Sequence, residues 1–282
     1  MITKNQILHR KNNKPIVWDA YFKSDGIKKP LVIFCHGYKG FKDWGSWDLV
    51  AEIFSNQNMF FVKFNFSHNG GTVEKPIDFT DLDAFSKNNY TKELTDLDDI
   101  LNFMVSENSQ YKNEINNSNI TLIGHSRGGG ISIIKASEDL RITKLITWAS
   151  VSDYGTRFGT KDDINDWQEK GVKHVLNGRT KQQMPHLYQF YEDFQLNQVR
   201  LNIKNATKKL DIPFLIIHAK GDPSVKFDEA ENLHLWDSKS ELFEIEGSDH
   251  VFDASHPWKN NKLPETLNLV VEKSIDFIMQ TF

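Results

Sequence analysis

Short, strongly apolar runs alternate along this chain with longer segments whose apolar residues recur at helical spacing. Residues 31–35, 60–64, 120–123, 144–148, 214–218 and 242–245 are each strand-sized and rich in β-branched or aromatic side chains. Runs of this kind, apolar on both sides of the pleat and separated by helix-length segments, predict an α/β fold with a largely parallel sheet. Ahead of them, residues 6–9, a polar turn at 11–14 and the alternating stretch 16–22 predict an antiparallel hairpin.

The intervening segments read as helices that cover both faces of the sheet. Ser46 stands as a cap before a face made of Leu49, Val50, Ile53 and Phe54. Leu94, Leu97, Leu101, Met104 and Val105 keep helical spacing, as do Leu267, Val270, Val271, Ile275 and Ile278 in a last helix that Pro264 can open. One interval breaks the rhythm, because about sixty residues between Ser150 and Phe214 are too many for a bare connection. The expectation is a lid over residues 153–209, inserted in a core made of residues 1–152 and 210–282. Within it, Asp162 or Asp163 is placed to cap a short helix ending at Gly171. Residues 172–176 and 179–184 flank Asn177-Gly178 as a two-residue hairpin turn, and Leu187, Tyr191 and Phe194 mark a helical stripe.

Composition narrows the function classes. The 282 residues allow one large α/β domain with an insertion or two small domains, and 34 Lys plus Arg against 38 Asp plus Glu leave a net charge of -4. That balance is too small and too mixed for a phosphate-binding surface, so no nucleic-acid partner is expected. The lone cysteine, Cys35, excludes an internal disulfide and a thiolate zinc cage and fits a reducing compartment. The first thirty residues carry no apolar signal region and no apolar run exceeds strand length, so a cytoplasmic protein with no membrane contact is expected.

The chemistry concentrates at Gly124-His125-Ser126-Arg127-Gly128, a G-x-S-x-G string with a strand before it and a helix-compatible run after it. Glycines belong there because a sharp turn that lifts a serine out of a sheet brings backbone segments close together. A serine hydroxyl is a poor nucleophile near neutral pH and needs a histidine base steadied by a carboxylate. Both follow in order at strand ends: Asp222 in Gly221-Asp222-Pro223, and His250 in Gly247-Ser248-Asp249-His250. Asp228 and Asp249 are the competing acids, but Asp249 adjoins His250 and its side chain points away in extended backbone. For the oxyanion, the amide of Arg127 lies directly after the nucleophile, and that of Tyr38 follows His36-Gly37 at the end of an early strand.

These four landmarks, His36-Gly37, the Ser126 turn, Gly221-Asp222-Pro223 with Val225, and Gly247 to His250, resemble the serine branch of the α/β-hydrolase superfamily in order and over nearly the whole chain. The resemblance implies a mixed sheet of about eight strands, no cofactor, and hydrolysis of an acyl bond through an acyl-enzyme. It is nearest to small carboxylesterases of the cinnamoyl or feruloyl type and to dienelactone-hydrolase-like and serine-aminopeptidase-like proteins. The run Asn65-Phe66-Ser67-His68-Asn69-Gly70-Gly71 departs from the family, which often carries an acidic residue before those glycines. The expected activity is hydrolysis of a small-molecule carboxylic ester, with a peptidase or amidase, or a non-catalytic binding protein, as alternatives.

Other residues have plainer readings. His125 is expected to pack beneath the turn, His36 to steady the oxyanion loop, His218 to sit in a core strand and His256 near the surface, with no metal-ligand spacing among them. Cys35 reads as a buried thiol, and Arg127 as a solvated side chain whose amide alone matters. Phe41 and Trp44, after the oxyanion loop, and Tyr191 and Phe194, in the lid, are the candidate substrate-binding aromatics. Aromatic lid walls would favour aryl or medium-length acyl groups over charged ones.

Overall fold

The computed structural model describes residues 1–281. In chain order its elements are β1 (Ile2–Leu8), β2 (Ile16–Tyr21), β3 (Lys29–Cys35), α1 (Trp47–Asn56), β4 (Phe60–Phe64), α2 (Leu82–Ser86), α3 (Tyr90–Val105), β5 (Ile115–His125), α4 (Arg127–Glu138) and β6 (Lys144–Trp148). A 3₁₀ turn (Gly155–Phe158), α5 (Lys161–Lys170), β7 (Val172–Leu176), β8 (Gln183–Leu187), α6 (Gln189–Leu196) and α7 (Ile203–Thr207) fill the long interval. β9 (Phe214–Ala219), α8 (Asp228–Trp236), β10 (Glu241–Ile245) and α9 (Glu265–Met279) complete the chain. Among the described residues, no helix is long and apolar enough to cross a membrane.

All six apolar runs are strands of one eight-stranded sheet ordered β1-β2-β4-β3-β5-β6-β9-β10. β1 and β2, and β2 and β4, pair antiparallel, while the rest of the sheet is parallel. Period-two alternation sorts the side chains between two cores. In β3, Leu31, Ile33 and Cys35 face a cluster built with α3, α4, α7 and α8, whereas Val32 and Phe34 face one built with α1 and α9. From β3 the chain steps to β4 on one side and then crosses back to β5 on the other. The carboxyl ends of β3 and β5 therefore open the crevice where such sheets hold their sites.

Two local expectations change. The cap of α5 is Thr160, not Asp162 or Asp163: its hydroxyl accepts from the Asp163 amide while Asp163 accepts from the Thr160 amide. Asp163 thus serves as the third helical residue of a reciprocal capping pair. The β7–β8 connection is also longer than two residues. Asn177 Oδ1 accepts from the amides of Arg179 at 3.0 Å and Thr180 at 3.3 Å, and the left-handed residue is Lys181, at φ +61°. An asparagine that bonds its own downstream backbone forms this wider turn instead of the tight one, which would need positive φ at both central residues.

One buried charge network anchors the segment that follows β3. Asp19 is fully buried, and its Oδ2 accepts from both Lys42 Nζ and Lys63 Nζ at 2.8 Å. Lys42 also reaches Asp43 at 2.6 Å, Lys63 bonds Asp43 and Asp48, and Lys4 bonds Asp48, so three ammonium groups balance the cluster of three carboxylates. Lys42 belongs to the stretch that carries Tyr38, and its amide donates to Asn65 Oδ1 at 2.7 Å. Removing one partner of such a network strands charge in the interior, a loss of about 3–5 kcal/mol. Asp19→Ala is therefore expected to lower the free energy of unfolding in urea by that order. A change within about 0.5 kcal/mol, as at an ordinary surface position, would mean that the network does not anchor the loop.

Candidate active site

β5 ends at His125 and α4 begins at Arg127, so Ser126 alone makes the turn, at φ +56° and ψ -121°. A non-glycine residue held there stores about 1–3 kcal/mol of strain, and its surroundings must hold it. The Ser126 amide donates to Trp148 O at 2.9 Å, and its carbonyl accepts from Gly129 at 3.0 Å and Val151 at 3.3 Å. The space around the turn admits no side chains at the glycines. A Cβ on Gly124 would lie 2.4 Å from Gly128 O, and one on Gly128 would lie 2.4 Å from Cys35 O. A Cβ on Gly37 would lie 2.9 Å from Ser126 Cβ, which places the end of β3 directly against the serine.

His250 Nδ1 donates to Asp222 Oδ2 at 2.7 Å, and its Nε2 has no hydrogen-bond partner among the described residues. Asp222 follows β9 and is buried; its Oδ1 accepts from the amides of Ser224 at 2.7 Å and Val225 at 2.9 Å. Burial opposes its ionisation, yet the hydrogen bonds from His218 and His250 hold its carboxyl well below the usual carboxylate range. His218 was expected only as a core histidine; its Nε2 donates to Val225 O at 2.8 Å and lies 3.4 Å from Asp222 Oδ2. The competing acids are engaged elsewhere: Asp228 opens α8, and Asp249 Oδ1 accepts from the amides of Val251 and Asp253.

Two more histidines steady backbone. The Phe66 amide donates to His36 Nε2 at 3.2 Å, so Nδ1 carries the proton and donates to Gly37 O at 2.8 Å. The unusual run at residues 65–71 is thus a brace for the loop after β3, and Asn69 Nδ2 adds a bond to Gly40 O at 3.2 Å. His125 Nε2 donates to His250 O at 2.9 Å beneath the turn. Burial pushes the His36 imidazole down to about 4 and that of His125 down to about 3, so both stay neutral near pH 7. Burial also pushes the Cys35 thiol up to about 12, which leaves it unreactive. His256 is half-buried, with Nδ1 accepting from the Gly45 amide at 2.9 Å.

Ser126 and His250 line a cavity of about 440 Å³. Tyr38, Tyr90, Tyr154, Phe158, Trp167 and Phe190 form its aromatic walls, with Val151, Val175 and Val225, and His186 and four cationic side chains lie among them. None of the four candidate substrate-binding aromatics lines it. Phe41 is fully buried with Phe79, Phe85 and Met184, and Trp44 packs against Trp47 and His256. Tyr191 and Phe194 pack on Phe158, at ring separations of 5.2 and 4.9 Å, one layer behind the wall. A helical stripe reveals which residues are apolar but not which of two layers faces the cavity.

The Arg127 side chain is not solvated. Its guanidinium lies 4.2 Å from the Tyr38 ring centre, and Nη1 reaches Glu93 Oε1 at 3.3 Å. The signal was present in the sequence, since Glu93 falls on the apolar face of α3, three residues after Tyr90 and four before Leu97. A carboxylate there calls for a buried cation.

The mixed sheet, its helices and the crevice at the Ser126 turn define the α/β-hydrolase fold. No family model and no curated protein matches the chain by sequence. Solved structures do match in fold. Est1E from Butyrivibrio proteoclasticus superposes with a TM-score of 0.69 at 16% identity, over 97% of both chains, and it has also been solved with ferulic acid bound. The α/β hydrolase GrgF from Penicillium gives a TM-score of 0.69 at 14% identity, over 99% of this chain and 98% of its own. A puromycin-hydrolyzing peptidase of Mycobacterium tuberculosis gives 0.64 at 14%, over 94% of this chain and 37% of that one.

The close packing of the turn yields a test. Gly128→Ala forces α4 and the end of β3 apart, at an expected cost of about 1–3 kcal/mol in urea unfolding. Unchanged stability would show that the approach of Cys35 O does not require glycine.

Proposed function

We propose that the protein is a serine hydrolase that cleaves carboxylic esters. The observation that carries this reading is the 2.7 Å bond between His250 Nδ1 and Asp222, beside a serine held at φ +56° on the wall of the same cavity. Ser126 Oγ attacks the ester carbonyl as His250 Nε2 takes its proton, and Asp222 stabilises the imidazolium that forms. The tetrahedral oxyanion is received by the amides of Tyr38 and Arg127, neither of which has an acceptor among the described residues. The imidazolium then protonates the departing alcohol, leaving an acyl-enzyme that water, activated by the same histidine, hydrolyses.

Residues 153–209 act as the lid in this reading, supplying Tyr154, Phe158, Trp167 and Phe190 to the wall. Rigid aromatic surface supports acyl or arylacyl groups larger than acetyl, each buried methylene contributing about 0.8 kcal/mol. The ferulic acid bound to Est1E is in keeping with an arylacyl guest in this fold.

Turnover of chromogenic aryl esters tests the assignment. Ser126→Ala and His250→Ala should each lower kcat by roughly a millionfold with the fold intact by circular dichroism. Asp222→Asn should lower it by roughly ten-thousandfold through the wrong histidine tautomer, and Asp228→Asn and Asp249→Asn far less. Turnover retained in Ser126→Ala would end the reading, and sensitivity at Asp228 would move the acid. Phe190→Ala should erode the preference for hexanoyl and cinnamoyl over acetyl esters, whereas a preference unchanged by it would remove the lid from substrate selection.

A further inference from the structure

The cavity beside Ser126 is lined by the cations Lys39, Arg127, Arg157 and Lys173 and, among the described residues, by no carboxylate. Arg157 is bonded to Glu229. The other three are under-compensated. Lys39 Nζ donates to Leu176 O and Lys173 Nζ to Phe158 O, each at 3.3 Å, and neither has a carboxylate within ion-pair distance among the described residues. Arg127 has one contact of 3.3 Å to Glu93, and its Nε and Nη2 find no acceptor among the described residues.

These charges share one space. Lys39 and Arg127 lie 5.0 and 4.2 Å from the same Tyr38 ring centre. The Tyr38 hydroxyl meets His186 Nε2 at 2.6 Å. Burial, then the charges of Arg127, Lys173 and Lys39, push His186 down to about 3, so it stays neutral and adds no charge of its own. Rings surround the Arg127 guanidinium, with Tyr90 at 5.2 Å and Phe190 at 5.4 Å from its carbon besides Tyr38, while its Nε and Nη2 keep their N–H groups for polar contacts. A guanidinium edge presents parallel donors that match a planar carboxylate. An aromatic-walled cavity with an excess of partly buried positive charge holds an acyl chain better when the chain also ends in a negative group, because a wholly apolar chain takes water from the cations without giving them a partner.

We infer that the substrate is an ester whose acyl chain ends in a second, ionised carboxylate, held by the guanidinium edge of Arg127 with Lys39 and Lys173 while the aromatic walls pack the intervening methylenes. This reverses the expectation that charged acyl groups are disfavoured, and it rests on the ester-hydrolase reading above.

Monomethyl adipate and methyl hexanoate have six-carbon acyl chains that differ at the end carrying the charge. Titration calorimetry on the Ser126→Ala protein reads their binding without turnover, so the outcome does not depend on catalysis. A failure of the hydrolase reading would instead appear as wild-type protein that turns over no aryl ester. Monomethyl adipate is expected to bind roughly tenfold tighter or more, the scale of one charge-assisted hydrogen bond. The ratio should shrink when Lys39→Gln and Lys173→Gln are added to Ser126→Ala. If those changes disturb the fold, raising the salt on the Ser126→Ala protein from about 0.02 to 0.5 M should itself shrink the ratio through screening. Equal or tighter binding of methyl hexanoate, or a ratio indifferent both to the lysines and to salt, would overturn the inference.

Discussion

A serine can stand clear of the carboxyl edge of a parallel sheet only if the chain reverses within about one residue, and here that residue is Ser126, in a left-handed conformation that L-residues resist. The surrounding structure is arranged to hold this turn. The ends of β3, β5 and β6 close on it through the backbone bonds of Ser126 to Trp148 and Val151 and through contacts that leave no room for side chains at Gly37, Gly124 and Gly128. The two cores on either side of the sheet keep those strand ends in register. The Asp19–Lys42–Lys63 network does the same for the segment beyond Tyr38.

Around the turn, electrostatics divides five histidines into different tasks. His36 and His125 are buried, neutral and bonded to backbone carbonyls, so they set the shape of the loops at Gly37 and His250. His186 is neutral and meets the Tyr38 hydroxyl. His218 helps keep Asp222 ionised. Only His250 combines a carboxylate partner with a free nitrogen on the wall of the cavity. The same low-dielectric surroundings that keep the rings of His36, His125 and His186 uncharged make the cations at Lys39, Arg127 and Lys173 energetically conspicuous.

The largely parallel sheet was legible in the sequence, though not its strand order, because strands buried on both faces have to be apolar throughout, and glycines appear where backbones touch. The same logic singled out Ser126, Asp222 and His250, each at a strand end where only loop residues reach the crevice. Depth was not legible. Phe41, Trp44, Tyr191 and Phe194 have the composition of a cavity wall but lie behind or beside it, since packing order depends on tertiary contacts that periodicity does not encode. Arg127 was misread as solvated because its partner, Glu93, lies thirty-four residues away on another helix. The Asn177 turn and the Thr160 cap differ from expectation because short polar side chains have several local backbone partners to choose from.

The central claim is that Ser126 is an activated nucleophile and not a structural serine in a tight turn. Intact-mass and peptide spectrometry after exposure to a fluorophosphonate probe measures this directly, since only a deprotonatable, exposed hydroxyl is phosphonylated at a useful rate. One adduct on Ser126, absent in Ser126→Ala and strongly slowed in His250→Ala, is the predicted result. An unmodified wild-type chain, or labelling at Ser126 that proceeds equally fast without His250, would contradict it.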